Sequence, residues 1–186
     1  MSGTDETSAR TETSQNHNAA PRYCDDKFRT HWVRYVGQSL MAAISVLVVL
    51  LILDSVKQTV LIASLGASAF IAFTIPCSQY SRPRYLIGGY LVGMVVGGTS
   101  FLLASWLAET AMLDMHQAQI VFGALATGLA MFLMVITDTE HPPAASLALG
   151  FVLNEWDALT VLAVLSGIVA LTSIKEVLKP RLMDLL

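Results

Sequence analysis

The chain of 186 residues is 54% hydrophobic and only 13% charged, with a mean hydropathy of +0.61, a balance that excludes an ordinary soluble domain and indicates a membrane protein. A net charge of −3 and a pI near 5.7 leave no basic footprint for nucleic acid. Two cysteines, Cys24 and Cys77, are too few for a disulfide framework and have no Cys or His nearby at metal-ligand spacing, so both are expected as free thiols, with no metal and no cofactor.

Residues 1–24 are rich in Ser, Thr, Asn and Gln and carry almost no large apolar side chains, which predicts a disordered cytoplasmic tail. The first apolar run begins only around Tyr35, too late for a signal peptide, and a single Arg10 against Asp5, Glu6 and Glu12 does not fit a transit peptide. Residues 25–34 place Phe28 and Trp32 on one helical face, with Lys27, Arg29 and Arg34 among the other positions. That pattern predicts an amphipathic helix at the membrane interface, its rings at headgroup depth and its basic groups toward anionic lipid.

Residues 35–180 form the predicted transmembrane domain, an all-α polytopic bundle of about six membrane segments in contact with the lipid bilayer. Five apolar segments are clear, at 35–53, 59–75, 85–108, 117–137 and 158–178. A sixth, at 142–153, is short for an ordinary span, because a helix rises only about 1.5 Å per residue. It either crosses or enters as a broken helix. The basic residues favour a crossing: with six spans and a cytoplasmic N-terminus, ten of the eleven Lys and Arg lie inside and only Lys57 outside, whereas five spans give seven against four. The expected location is a bacterial inner (plasma) membrane with both termini cytoplasmic.

The six segments divide into two similar halves. LILDSVKQTVLIASLG at 51–66 and VITDTEHPPAASLALG at 135–150 each run from an apolar helix through an acid and hydroxyl pair and a short polar loop into a helix opening with Ala-Ser-Leu. A helix of small residues follows in each, GGYLVGMVVGGTS in the first half and VLAVLSGIVALTS in the second. Three spans per half would place the second copy upside down, the 3+3 inverted repeat of many transporters, with its second and fifth helices short or broken. Chance similarity among small apolar residues gives the same appearance.

Thr137-Asp138-Thr139-Glu140-His141-Pro142-Pro143 is the stretch richest in chemistry. Proline is tolerated in a first helical turn, so His141 is expected at the cap, with Pro142 and Pro143 opening the helix. The remaining free N–H groups of that turn would face the loop and form an anion site. Ser64, Ser68 and Ser146 add hydroxyl donors, and Lys57 and His141 hold comparable loop positions as cationic or titratable groups. Asp54 and Asp138 would repel an anion and are assigned to loop capping or proton binding. In a cation reading Asp138 and Glu140 become ligands or proton carriers. The plainest alternative leaves both acids at a wet helix end.

His141-Pro142-Pro143-Ala144-Ala145, together with the Ser64–Ala69 stretch, Arg82-Pro83-Arg84 and Gly88-Gly89, resembles the HPP family of small integral membrane proteins over residues 30–180. Members of that family are described with four or more spans and as candidate transporters, some linked to nitrite passage. The resemblance therefore implies a transporter or channel for a small inorganic anion, nitrite being the substrate it suggests. The rival readings are a non-transporting membrane scaffold and a proton- or cation-coupled carrier. No enzyme is expected, because no nucleophile stands beside a base at recognisable spacing and no nucleotide loop is present. Arg82 and Arg84 form a basic cytoplasmic loop, either a topology anchor or a funnel for anions. Gly89, Gly93 and Gly97 allow close approach of another helix, either within one chain or across a homo-oligomer.

Overall fold

A computed structural model describes residues 26–52, 59–111 and 114–185. Among these, six α-helices run in order: α1 Asp26–Ile52, α2 Thr59–Thr74, α3 Pro83–Ala111, α4 Met115–Ile136, α5 Pro142–Leu153 and α6 Ala158–Leu178. The four long helices α1, α3, α4 and α6 are apolar and long enough to cross a membrane. The second and fifth are short, as the sequence predicts, at 16 and 12 residues. The tail at 1–24, Asp54 and Lys57 lie outside the described residues.

α1 is one helix with a break at His31, where φ −125° and ψ 24° leave the helical region. The break falls inside the predicted interfacial segment rather than after Arg34. Beyond it Leu40, Ile44, Leu47 and Leu51 are exposed at three- and four-residue intervals, as are Leu125, Leu129 and Phe132 on α4. Stripes of this kind need hydrocarbon around them, since a soluble surface rarely carries so large an apolar patch.

The helix ends follow local chemistry. Asp114 caps α4 by accepting from the Gln117 amide at 3.2 Å. Asp157 caps α6, and the Thr160 hydroxyl and amide, each 2.7 Å away, hold its carboxyl below the ordinary carboxylate range. A carboxylate lowered in the fold stabilises it above its unfolded pKa and loses that contribution as pH falls, so this cap is intact at neutral pH.

Hydrogen bonds tie one end of the bundle together. Gln38, seven residues past the break in α1, donates to the carbonyls of Phe73 at 2.6 Å and Met183 at 2.7 Å, and Tyr35 donates to Leu185 O at 2.6 Å. The Leu185 amide in turn donates to Thr74 O at 2.8 Å. Lys175, wholly buried, donates to Ser81 O at 2.7 Å and pairs with Glu176 at 2.8 Å. The start of α1, the end of α2, the start of α3 and the C-terminal residues therefore share one end, together with Arg34, Arg82, Arg84, Lys175, Lys179 and Arg181. At the other end Gln119 of α4 donates to Val152 O at 3.1 Å, late in α5, and Trp156 packs on Phe101 and Phe151. α5 thus runs from the basic end toward the opposite one.

Cysteine labelling checks this arrangement. In a Cys24→Ser background, Cys77, exposed at the basic end, should react with a membrane-impermeant maleimide from one side only, and Glu155→Cys from the other. Labelling of both from the same side would show that α5 does not cross.

The extensive helix packings are α1 on α2 and α6, α4 on α5 and α3, α2 on α6, α5 on α3, α2 on α5, and α3 on α6. Exchanging the first three helices for the last three maps this set onto itself.

Candidate functional site

The site is built by the turn between α4 and α5. α4 ends at Thr137, and Asp138 takes the left-handed conformation at φ 53°, the only non-glycine residue to do so among those described. The Asp138 amide donates to Val135 O at 3.3 Å and the Thr139 amide to Met134 O at 2.9 Å, the bonding of a helix terminated by a left-handed residue. Aspartate tolerates that conformation better than most side chains. Its carboxylate accepts from the Tyr85 hydroxyl at 2.6 Å and faces Arg84 at 3.3 Å, and Arg84 also donates to Thr137 O at 3.0 Å. Both charged side chains are about 60% exposed, so the pair fixes geometry more than it adds stability.

The redirected chain then lies against α3. A Cβ added to Gly88 would stand 2.8 Å from Thr139 Cγ2, one on Gly89 2.6 Å from His141 Cβ, one on Gly93 2.4 Å from Ala144 O and one on Gly97 2.6 Å from Ala148 O. The glycine run is therefore the seat of α5 within the chain. Pro142 and Pro143 open α5 without N–H groups, and the third amide, Ala144, donates to His141 O at 2.8 Å. The free amide donors expected at the start of α5 are absent at these three positions. The anion cradle predicted there has no backbone N–H from them.

His141 is carried instead into the centre of the bundle, where it is 1% exposed. Its Nε2 lies 2.8 Å from Ser68 Oγ on α2, linking the two short helices. Tyr90 of α3 completes the cluster: its hydroxyl is 2.9 Å from Ser68 Oγ and 3.3 Å from Ser64 Oγ, and its ring centroid is 5.9 Å from that of His141. The serine protons are committed to carbonyls, Ser64 to Leu61 O at 2.7 Å and Ser68 to Ser64 O at 2.9 Å. His141 Nδ1 and Glu140 Oε2 are buried with no partner. Both residues line a cleft of about 240 Å³ whose other walls are Met131, Met134, Val135, Pro142 and Ala145.

The structure brings Ser64 and Ser68 to His141, and Glu140 shares with His141 the wall of the cleft. Pro143 is buried behind them, whereas Pro142 and Ser146 are exposed and Ser146 takes no part in the cluster. Ser64 and Ser146, matched by the internal similarity, thus face in opposite senses. Asp138 stands at the rim as a turn residue, and Arg82 is exposed on the surface. Tyr90 escaped the sequence reading. The signal was available, since a tyrosine eight residues into an apolar membrane helix needs a partner for its hydroxyl.

Comparison with known proteins agrees with the geometry. The family described as HPP, transmembrane region, matches residues 27–179. A transmembrane protein of Dictyostelium discoideum is 37% identical over 97 residues, 52% of this chain and 31% of its own length. A second from the same organism is 33% identical over 94 residues, 50% of this chain and 28% of that one. The match thus spans about a third of the length of these relatives. No solved structure matches the chain. A family match over most of the described residues, with the His-Pro-Pro segment at the centre of the packing, places this integral membrane protein in the HPP family.

Proposed function

We propose that the protein is a transporter for a small inorganic anion, nitrite being the substrate that the family resemblance suggests, with its site at the meeting of α2 and α5. One observation carries the reading: a histidine ring nitrogen and a carboxylate oxygen, both buried and unpaired, share the wall of one cleft. Buried polar atoms are nearly always bonded, so two unpaired ones on residues that line one cleft are groups that a polar ligand would satisfy. Ionisable groups within a membrane domain are functional by default. The packing that maps onto itself when the halves are exchanged supports an inverted repeat, with the Ser68–His141 bond near its axis. The basic end is the cytoplasmic one in this reading, which puts both termini inside.

Uptake of labelled nitrite into proteoliposomes tests the proposal. Wild type should exceed empty liposomes, and His141→Ala should cut the protein-dependent rate about tenfold, the effect of losing one well-placed hydrogen bond. A wild type indistinguishable from empty liposomes would leave a non-transporting scaffold as the reading.

A further inference from the structure

We infer that the cleft at His141 receives a hydrogen bond from its ligand, and so takes a small weak acid in its protonated form rather than as the bare anion. The inference rests on the transport reading above for the identity of the ligand, and on proton bookkeeping for the rest. Ser68 has one hydroxyl proton, and the Ser64 carbonyl at 2.9 Å can only accept it. With the Ser68 proton on that carbonyl, Ser68 Oγ faces His141 as an acceptor, which assigns the ring proton of the 2.8 Å contact to Nε2. In a neutral ring this leaves Nδ1 as a bare lone pair. Tyr90 fits the assignment with its single proton on Ser68 Oγ at 2.9 Å, the shorter of its two serine contacts.

The residues lining the cleft therefore carry two buried, unpaired acceptors, His141 Nδ1 and Glu140 Oε2, and no hydroxyl donor, since the protons of Ser64 and Ser68 point to backbone carbonyls. The start of α5 adds none, its first two residues being proline and its third amide committed. The remaining walls are Met131, Met134, Val135, Pro142 and Ala145, which favour an uncharged guest. An anion would meet an unpaired carboxylate oxygen and a lone pair. A protonated acid meets an acceptor for its O–H.

The charged and titratable groups around His141 are few. α3 contributes Tyr90, with Tyr85 and Arg84 one layer out toward Asp138. The turn contributes Glu140, α2 contributes only Ser64 and Ser68, and α4 presents methionine and valine. The ligand's proton either stays on it or passes to Nδ1, making an imidazolium that holds the anion. One proton accompanies each anion in both cases.

The test uses the full chain in lipid nanodiscs with ¹⁵N-labelled histidine, the His141 signals being assigned by their loss in His141→Gln. Nε2 should appear protonated and Nδ1 unprotonated at neutral pH; a ring proton on Nδ1 alone overturns the proposal. Added nitrite should shift the Nδ1 resonance at acid pH and not at neutral pH. A shift at neutral pH alone, or at neither, overturns it as well. His141→Gln keeps an amide donor toward Ser68 but loses the Nδ1 acceptor. It should melt like wild type yet carry nitrite about tenfold more slowly. Normal carriage by this variant would overturn the role of Nδ1. In proteoliposomes with a lumenal pH dye, the protein-dependent nitrite flux should bring in one proton per nitrite. A flux driven by voltage without acidification overturns the inference while sustaining transport. The absence of flux with the expected Nδ1 shift sinks the transport reading alone.

Discussion

Gly93→Val is expected to prevent the native packing of α3 on α5 and to cost about 3 kcal/mol or more, near the upper end for an overpacked core position. Even the single Cβ of alanine would stand 2.4 Å from Ala144 O and 3.3 Å from Ala144 C, both backbone atoms that cannot turn aside. The intrinsic gain of replacing a helical glycine, about 1 kcal/mol, is smaller and of opposite sign. Gly66 and Gly128 supply the control, because a Cβ there meets nothing within 4 Å. Gly66→Ala and Gly128→Ala should melt at or above the wild-type temperature in detergent, and Gly93→Val should melt well below it or fail to yield a monodisperse protein. Equal melting of all three would show that α5 does not lie on the glycine face.

This close packing explains which parts of the molecule could be read from the sequence. Long uncharged runs gave the four crossing helices, and the length of 142–153 gave a short α5, because the bilayer imposes a length that composition alone reveals. The proximity of Gly89 to His141 was not legible: a glycine run states that something comes near, and only the packed chain says what. The side chains facing the centre were half legible. Ser64 and Ser68, four residues apart, share a helix face, whereas Ser146 looked equivalent by its Ala-Ser-Leu setting and faces outward. Helical phase is set by where α5 rests on α3 and α4, and the tripeptide around a serine does not encode that. At the start of α5 the two prolines have no N–H to offer and Ala144 gives its own to His141 O, which narrows the anion site expected there.

The two short helices meet with unlike chemistry. α2 brings hydroxyls, and the turn before α5 brings a histidine and a carboxylate, so the cluster is asymmetric. Tyr90, from the long helix α3, joins the two short ones. A substitution at any of the three should therefore be felt at the other two.

Ser68→Ala should be the most damaging single change in this cluster, lowering stability by about 2 kcal/mol and reducing transport together. Among the described residues Ser68 Oγ is the only hydrogen-bond partner of His141 Nε2, at 2.8 Å, and it also lies 2.9 Å from the Tyr90 hydroxyl. Without it Tyr90 retains Ser64 Oγ at 3.3 Å, while the histidine N–H is left buried and unpaired. An orphaned buried donor costs about 1–3 kcal/mol, whereas a hydrogen bond deleted along with its donor costs nearer 1 kcal/mol. Tyr90→Phe, which removes a donor and leaves Ser68 its other partners, should accordingly be milder. The pair Ser68→Ala and His141→Ala, the latter removing the donor that glutamine would keep, gives the decisive comparison: coupling between contacting polar groups in a membrane bundle is about 0.6 kcal/mol and reaches about 1.7 kcal/mol. The double variant should therefore be more stable than the sum of the two single losses by an amount in that range. Strict additivity, measured by thermal or chemical unfolding in the same detergent, would mean that the two short helices are not joined through this bond, and the ring of His141 would then have no fixed direction from which to meet a ligand.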